Sequence, residues 1–198
     1  MGPEVHVVIE RAGFYPAGGG RASIHVNPVR ALTSFDLVER GPVTRTLARA
    51  IVAGLPGLIG RLELGKLGQL LGLSSDQLQM RQLSPERGPG NVLAVEIESE
   101  HVAEVVTGFN MRGVSAEAVA ETVLRDARQY VADGFPVGPY LAHQLPLPLA
   151  MAGEGSFTPS APRRHTTTNC DIIERFLPVK ITKTPHRRGD WMVSLHVG

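Results

Sequence analysis

The order of β-rich and helical segments limits the fold of this chain more than any other feature. The two alternate along its length without a single repeat of βαβ. A doubly wound parallel sheet is built from that repeat, so an α+β fold is expected. Asn91 to Glu98 alternates apolar and polar residues, as a half-buried strand does. Ser115 to Val131 has helical spacing, with Ala118, Val119, Val123, Leu124 and Ala127 on one apolar face and Ser115 as its cap. Val5–Glu10 and Arg21–Asn27 read as strands joined by the turn-rich GFYPAGGG, which predicts a hairpin. Further strands are expected at Val43–Leu55, Gln77–Leu83, Val102–Phe109, Val179–Thr184 and Trp191–Val197. Leucines in GLIGRLELGKLGQLLGL recur at helical spacing despite four internal glycines. Two more helices are expected, one at Tyr140–Ala152, which carries Pro146 and Pro148, and one at Cys170–Leu177. Pro42 and the Asp133–Gly138 stretch mark boundaries around a β-α-β-β(β)-α block that reads as inserted between two pieces of another domain.

The chain has 198 residues, enough for one sizeable domain or two small ones. Hydrophobic residues make up 42% and charged residues 20%, which suits a soluble chain with a buried core. A net charge of +1 argues against coating nucleic acid by bulk electrostatics. Any such contact should be local, at Arg163–Arg164 or at Lys180, Lys183, Arg187 and Arg188, although solvated surface is the better explanation of the second cluster. The single cysteine, Cys170, excludes an intramolecular disulfide and a cysteine-rich metal site. MGPEVHVVIER has no signal-peptide pattern and no apolar run is long enough to span a membrane. The expectation is a cytoplasmic protein with no membrane partner.

Chemistry concentrates between Gly155 and Val179, GSFTPSAPRRHTTTNCDIIERFLPV. His165 is expected just outside a helix N-terminus, where Thr166, Thr167, Thr168 and Asn169 can cap orphan N–H groups. Backbone N–H groups and the helix dipole favour an anion there, and Arg163 and Arg164 add to the field. An imidazole in that position can act as acid, base or nucleophile towards phosphorus. The residues alone allow a second reading, a capped helix with an exposed loop histidine.

Four ordered segments go further. RAGFYPAGGG, GPGNVLAVEIESE, GPYLAHQLPLPLAMAGEGSFT, and HTTTN followed by ERFLPV together resemble the RNA 3'-terminal phosphate cyclase family over nearly the whole chain. The resemblance implies a domain of repeated β-α-β-α-β-β units, similar to the C-terminal domain of a translation initiation factor, with a small α+β domain inserted before the last unit. On that pattern residues 1–30 form a closing hairpin, 31–135 the insert and 136–198 the last repeat. It also implies ATP-dependent conversion of an RNA 3'-phosphate to a 2',3'-cyclic phosphate through a histidine–AMP intermediate, supported by Mg or Mn. His165 matches the nucleophile position. Tyr140 matches the residue that stacks the adenine, and Leu141, Ala142, His143 and Gln144 match the neighbouring nucleotide wall.

Two departures from the family pattern stand out. The family motif reads Tyr-Leu-Ala-Asp-Gln, whereas His143 occupies the aspartate position. A neutral imidazole supplies no negative charge to a hard cation, although it can bind transition metals. The family's N-terminal part, with its Gly-Glu-Gly-Gly-Gly motif, has no counterpart, and Gly18–Gly20 belongs to a hairpin turn. Strands and helix faces should therefore lack partners, which predicts association with a separate N-terminal half or with a second copy. The alternative to a cyclase is a catalytically inactive relative that binds RNA or a partner in RNA processing. A metallohydrolase built on His143 and His165 lacks the accompanying H-E-x-x-H or carboxylate-rich loop.

Overall fold

The computed structural model describes residues 2–109, 113–159, 164–185 and 191–197. They form ten strands in three sheets and four α-helices, an α+β fold. Strands β1 (Glu4–Arg11) and β2 (Arg21–Asn27) pair antiparallel as the expected hairpin. Strands β4 (Val43–Ala53), β5 (Leu78–Leu83), β6 (Gly90–Ser99) and β7 (Ala103–Phe109) make a second sheet in the order β5-β4-β6-β7. Helices α1 (Leu58–Leu71) and α2 (Ala116–Asp133) pack on it and on each other. The third sheet has the order β3-β8-β10-β9, from β3 (Asp36–Leu37), β8 (Gly155–Phe157), β9 (Val179–Pro185) and β10 (Trp191–Val197). Helices α3 (Pro146–Ala152) and α4 (Arg164–Phe176) complete that part. Among the described residues no helix is long and apolar enough to cross a membrane.

The first core follows from strict alternation. On β6, Asn91, Leu93, Val95 and Ile97 point inward while the residues between them are half-exposed. Leu93, Val95 and Ile97 meet Leu64 and Leu67 of α1 and Val119, Val123 and Ala127 of α2. Ser115 caps α2 by accepting the Ala118 N–H at 3.2 Å, as expected. The glycines that lower helix propensity in α1 have a packing role. A Cβ on Gly60 would lie 3.0 Å from Val52, and one on Gly68 would lie 2.8 Å from Leu78, so their absence lets the helix approach the sheet closely. The β4–α1–β5 crossover makes one parallel pair in this otherwise antiparallel sheet. It is a single βαβ unit and is not repeated there.

A second core gathers Val137, Leu149, Phe157, Cys170, Ile173, Val193 and Leu195. The sequence expectation needs three corrections here. The expected helix over Tyr140–Ala152 is divided into a 3-10 turn at Leu141–His143 and the short α3, whose Pro146 and Pro148 sit in the first turn. Proline is tolerated there because the first N–H groups of a helix have no intrahelical acceptor. The last helix begins at Arg164, not Cys170. Strands β3 and β8, of two and three residues, were not expected and are too short to show periodicity.

Polar contacts join the parts. Arg40 donates to the Tyr130 and Val131 carbonyls at 3.0 and 3.3 Å, satisfying acceptors at the end of α2. Its guanidinium also lies 5.3 Å from the Tyr130 ring centroid. The Tyr130 hydroxyl donates to the Pro136 carbonyl at 3.1 Å, and burial pushes its pKa up to about 12. In the β1–β2 connection the Phe14 N–H donates to the Arg87 carbonyl at 2.8 Å, and the Phe14 ring occupies the space left by Gly90.

Candidate functional site

Three rings converge where the 3-10 turn meets α4. The Tyr140 ring lies edge-on to His143 at a centroid distance of 6.3 Å, and His143 lies 6.3 Å from His165 at a tilt of 54°. Helical geometry explains His165. Thr166, Cys170 and Ile173 are the buried face of α4. His165 is one position away from that face, and Asn169, four residues on, lies on the same side of the helix. Asn169 Nδ2 donates to the His143 carbonyl at 2.8 Å, tying that side of α4 to the turn. His165 is therefore within α4 and exposed, not in a loop before the helix as the sequence suggested.

The presumed caps have other roles. Thr166 is buried, Thr167 donates to the Arg164 carbonyl at 2.9 Å, and Asn169 reaches across to the turn. Arg164 is exposed beside His165, whereas Arg163 lies outside the described residues. His143 Nδ1 is 3.1 Å from the Pro139 carbonyl. A carbonyl only accepts, so Nδ1 carries a proton, and the other ring nitrogen, Nε2, holds the lone pair when the ring is neutral.

The five residues matched to a nucleotide wall differ in what they present. Tyr140 is 66% exposed and Gln144 is exposed, so both side chains are available to a ligand. Ala142 is buried in the second core and Leu141 packs against it, so their side chains support the turn. Ala142 can meet a ligand only through its backbone, whereas part of the Leu141 side chain stays accessible. Among the described residues no group of three or more His, Cys, Asp or Glu side chains could hold a metal ion. The two imidazoles of His143 and His165 lack the oxygen ligands that Mg or Mn prefers, so these residues alone do not fit such an ion.

The two lysines of the second basic cluster are engaged. Lys180 pairs with Glu174 and Lys183 with Asp171, each at 3.2 Å, while His186, Arg187 and Arg188 lie outside the described residues. Glu174 also accepts the Ile181 N–H at 2.8 Å and so joins α4 to β9. That bond, with the Lys180 ammonium, holds its carboxyl below the usual carboxylate range.

Sequence reasoning missed Glu104. On β7 the inward positions are Glu104, Val106 and Gly108, while Val105 and Phe109 face out at 50% and 61% exposure. This inverted pattern, with a carboxylate in and apolar side chains out, was the available signal. Burial pushes the Glu104 carboxyl up, and the Gly138 N–H that it accepts partly offsets the shift. Beside it is a cavity of about 160 Å³, lined in part by Glu104, Thr107, Tyr130, Gly138 and Tyr140.

Residues 1–183 match the family model described as RNA 3'-terminal phosphate cyclase. An RNA 3'-terminal phosphate cyclase of Koribacter versatilis is 41% identical over 179 residues, covering 90% of this chain and 50% of that protein. One of Pseudomonas aeruginosa is 42% identical over 181 residues, covering 91% of this chain and 53% of that protein. One of Salmonella enteritidis is 41% identical over 182 residues, covering 92% and 53%. The chain spans about half the length of these relatives. It belongs to the RNA 3'-terminal phosphate cyclase family.

Proposed function

We propose that this chain is the nucleotide-facing, nucleophile-bearing portion of an ATP-dependent RNA 3'-phosphate cyclase. The convergence of Tyr140, His143 and His165, held by Asn169, is the observation that carries this reading. An unprotonated ring nitrogen of His165 attacks the α-phosphorus of ATP, an N–P bond forms and pyrophosphate leaves with the electron pair of the broken P–O bond. RNA 3'-phosphate oxygen then displaces the imidazole and takes AMP. The adjacent 2'-hydroxyl attacks that phosphate, gives up its proton, expels AMP and closes the 2',3'-cyclic ester. The exposed Tyr140 ring offers a stacking surface for adenine, and Gln144 offers an amide beside it.

The apolar face of the β1–β2 hairpin supports a partner. Cross-strand pairing puts Val5, Val7 and Ile9 on one face with Val26, Ile24 and Ala22. The bulky members of that face are all exposed. We assign this face to the part of the family's length that the chain does not contain, with a second copy as the alternative occupant.

The test is incubation with ATP and Mg or Mn, with the chain alone and with an N-terminal portion of the family, followed by intact-mass measurement. An added adenylate, lost in His165→Ala while the circular dichroism stays unchanged, is the expected result. No adenylate under either condition, with an intact fold, overturns it. A second reading, a non-catalytic binder of RNA or a partner, is favoured by one observation: imidazole replaces the family carboxylate at His143, among residues that do not fit Mg or Mn.

A further inference from the structure

We propose that Glu104, on a strand of the other core, is a positioning residue for the segment that carries Tyr140 and His143. The inference rests on the nucleotide-facing role given above to that segment. Glu104 is 6% exposed and its carboxylate lies directly against the Gly138 backbone. A buried carboxylate is retained at a cost unless a donor faces it, so this close approach to the Gly138 N–H is favoured over an open arrangement.

The Gly138 peptide is held on both sides. Its carbonyl accepts the Ala142 N–H at 3.0 Å, which closes the turn containing Tyr140. The preceding residue, Val137, is fully buried and donates its N–H to the Thr158 carbonyl at 3.3 Å. The next, Pro139, offers its carbonyl to the His143 ring at 3.1 Å. The His143 carbonyl in turn takes the Asn169 amide. Hydrogen bonds thus run from Gly138 through the turn to the helix that bears His165, and the Glu104 carboxylate of β7 packs against their starting point. A Cβ at 138 would meet the Glu104 carboxylate, so a larger residue there must displace it. Charged neighbours on the same cavity are Asp126 and Asp133 of α2, and Arg40 lies against Tyr130.

The full chain with Glu104→Ala should show roughly 10- to 100-fold faster amide hydrogen exchange over residues 138–143, the range set by one hydrogen bond to a charged group. Exchange in β6 should stay at the wild-type rate. Glu104→Gln keeps an oxygen acceptor and should restore most of the protection. ATP titrated into the same variants should bind about tenfold more weakly to Glu104→Ala than to wild type, with Glu104→Gln close to wild type. If Glu104→Ala does not fold, Gly138→Ala breaks the same contact from the other side and should give the same local exchange. Unchanged protection over 138–143, or equal ATP affinity in wild type and Glu104→Ala, overturns the proposal. A wild-type chain that binds no ATP counts against the nucleotide reading alone, and the exchange comparison then decides the positioning role.

Discussion

The β1–β2 and β4–β6 pairs are both antiparallel and both rich in valine, isoleucine and alanine, yet their environments differ completely. On β6 every inward residue from Asn91 to Ile97 is buried under α1 and α2. On the hairpin every residue of both strands is exposed, with Ile9 at 70% and Ile24 at 66%. Period-two patterning gives a strand and its apolar face in both cases. Whether that face is covered depends on what else is present. A two-stranded hairpin with nothing on its apolar face is marginal in water, and here its contact with the remainder runs through Phe14, Arg87 and Gly90.

The largest expected effect sharpens this contrast. Leu93→Ala, in the fully buried core, should lower stability by about 2–5 kcal/mol in a denaturant titration. A loss below 1 kcal/mol would mean that the covered sheet is as loosely held as the hairpin.

Next in size is the polar pair between α1 and the same sheet. Asn91 Nδ2 donates to both Glu63 carboxylate oxygens at 2.7 and 2.8 Å, and both residues are buried. Burial pushes the Glu63 carboxyl above its ordinary value of 4.5, Asn91 pulls it partly back, and Glu117 adds a smaller upward push. Because the folded pKa is raised, the unfolded chain releases the proton first as pH rises. The stability contribution is therefore complete below about pH 4.5 and is lost as pH climbs through the folded pKa. Asn91→Ala should cost about 1–3 kcal/mol near neutral pH. The gap from wild type should widen with rising pH, because it is the ionised carboxylate that needs the donor. Thermal melts across pH 4–8 check this, and a gap constant with pH would place the loss in packing.

The smallest expected effect tests the hairpin itself. Ile9→Ala in the chain alone should change stability by no more than about 0.5 kcal/mol, because little surface is buried there. A loss of 2 kcal/mol or more that grows with protein concentration would show the face covered by a second copy.

Much of the secondary structure was legible in the residues. Alternation marked β6, helical spacing with the Ser115 cap marked α2, and the glycine-rich GFYPAGGG marked the hairpin turn. The start of α4 was misplaced because Thr166 to Asn169 are all good capping residues, and local sequence does not reveal that Thr166 is buried and Asn169 is drawn to His143. Pro146 and Pro148 flagged an unusual helix, and their place in its first turn resolves it. The inverted alternation of β7 was a signal for Glu104, but its neighbour Gly138 is 34 positions away and nothing local connects the two.

Sequence alone determined every strand but β3 and β8, most of the helices and the family. These depend on periodicity, caps and motifs, all of which act over a few neighbouring residues. Tertiary structure decided that His143 lies between Tyr140 and His165, that the Glu104 carboxylate lies against Gly138, and that the apolar face of the hairpin is left open. Those facts depend on contacts between segments distant along the chain, which form only when two separate cores bring those segments together.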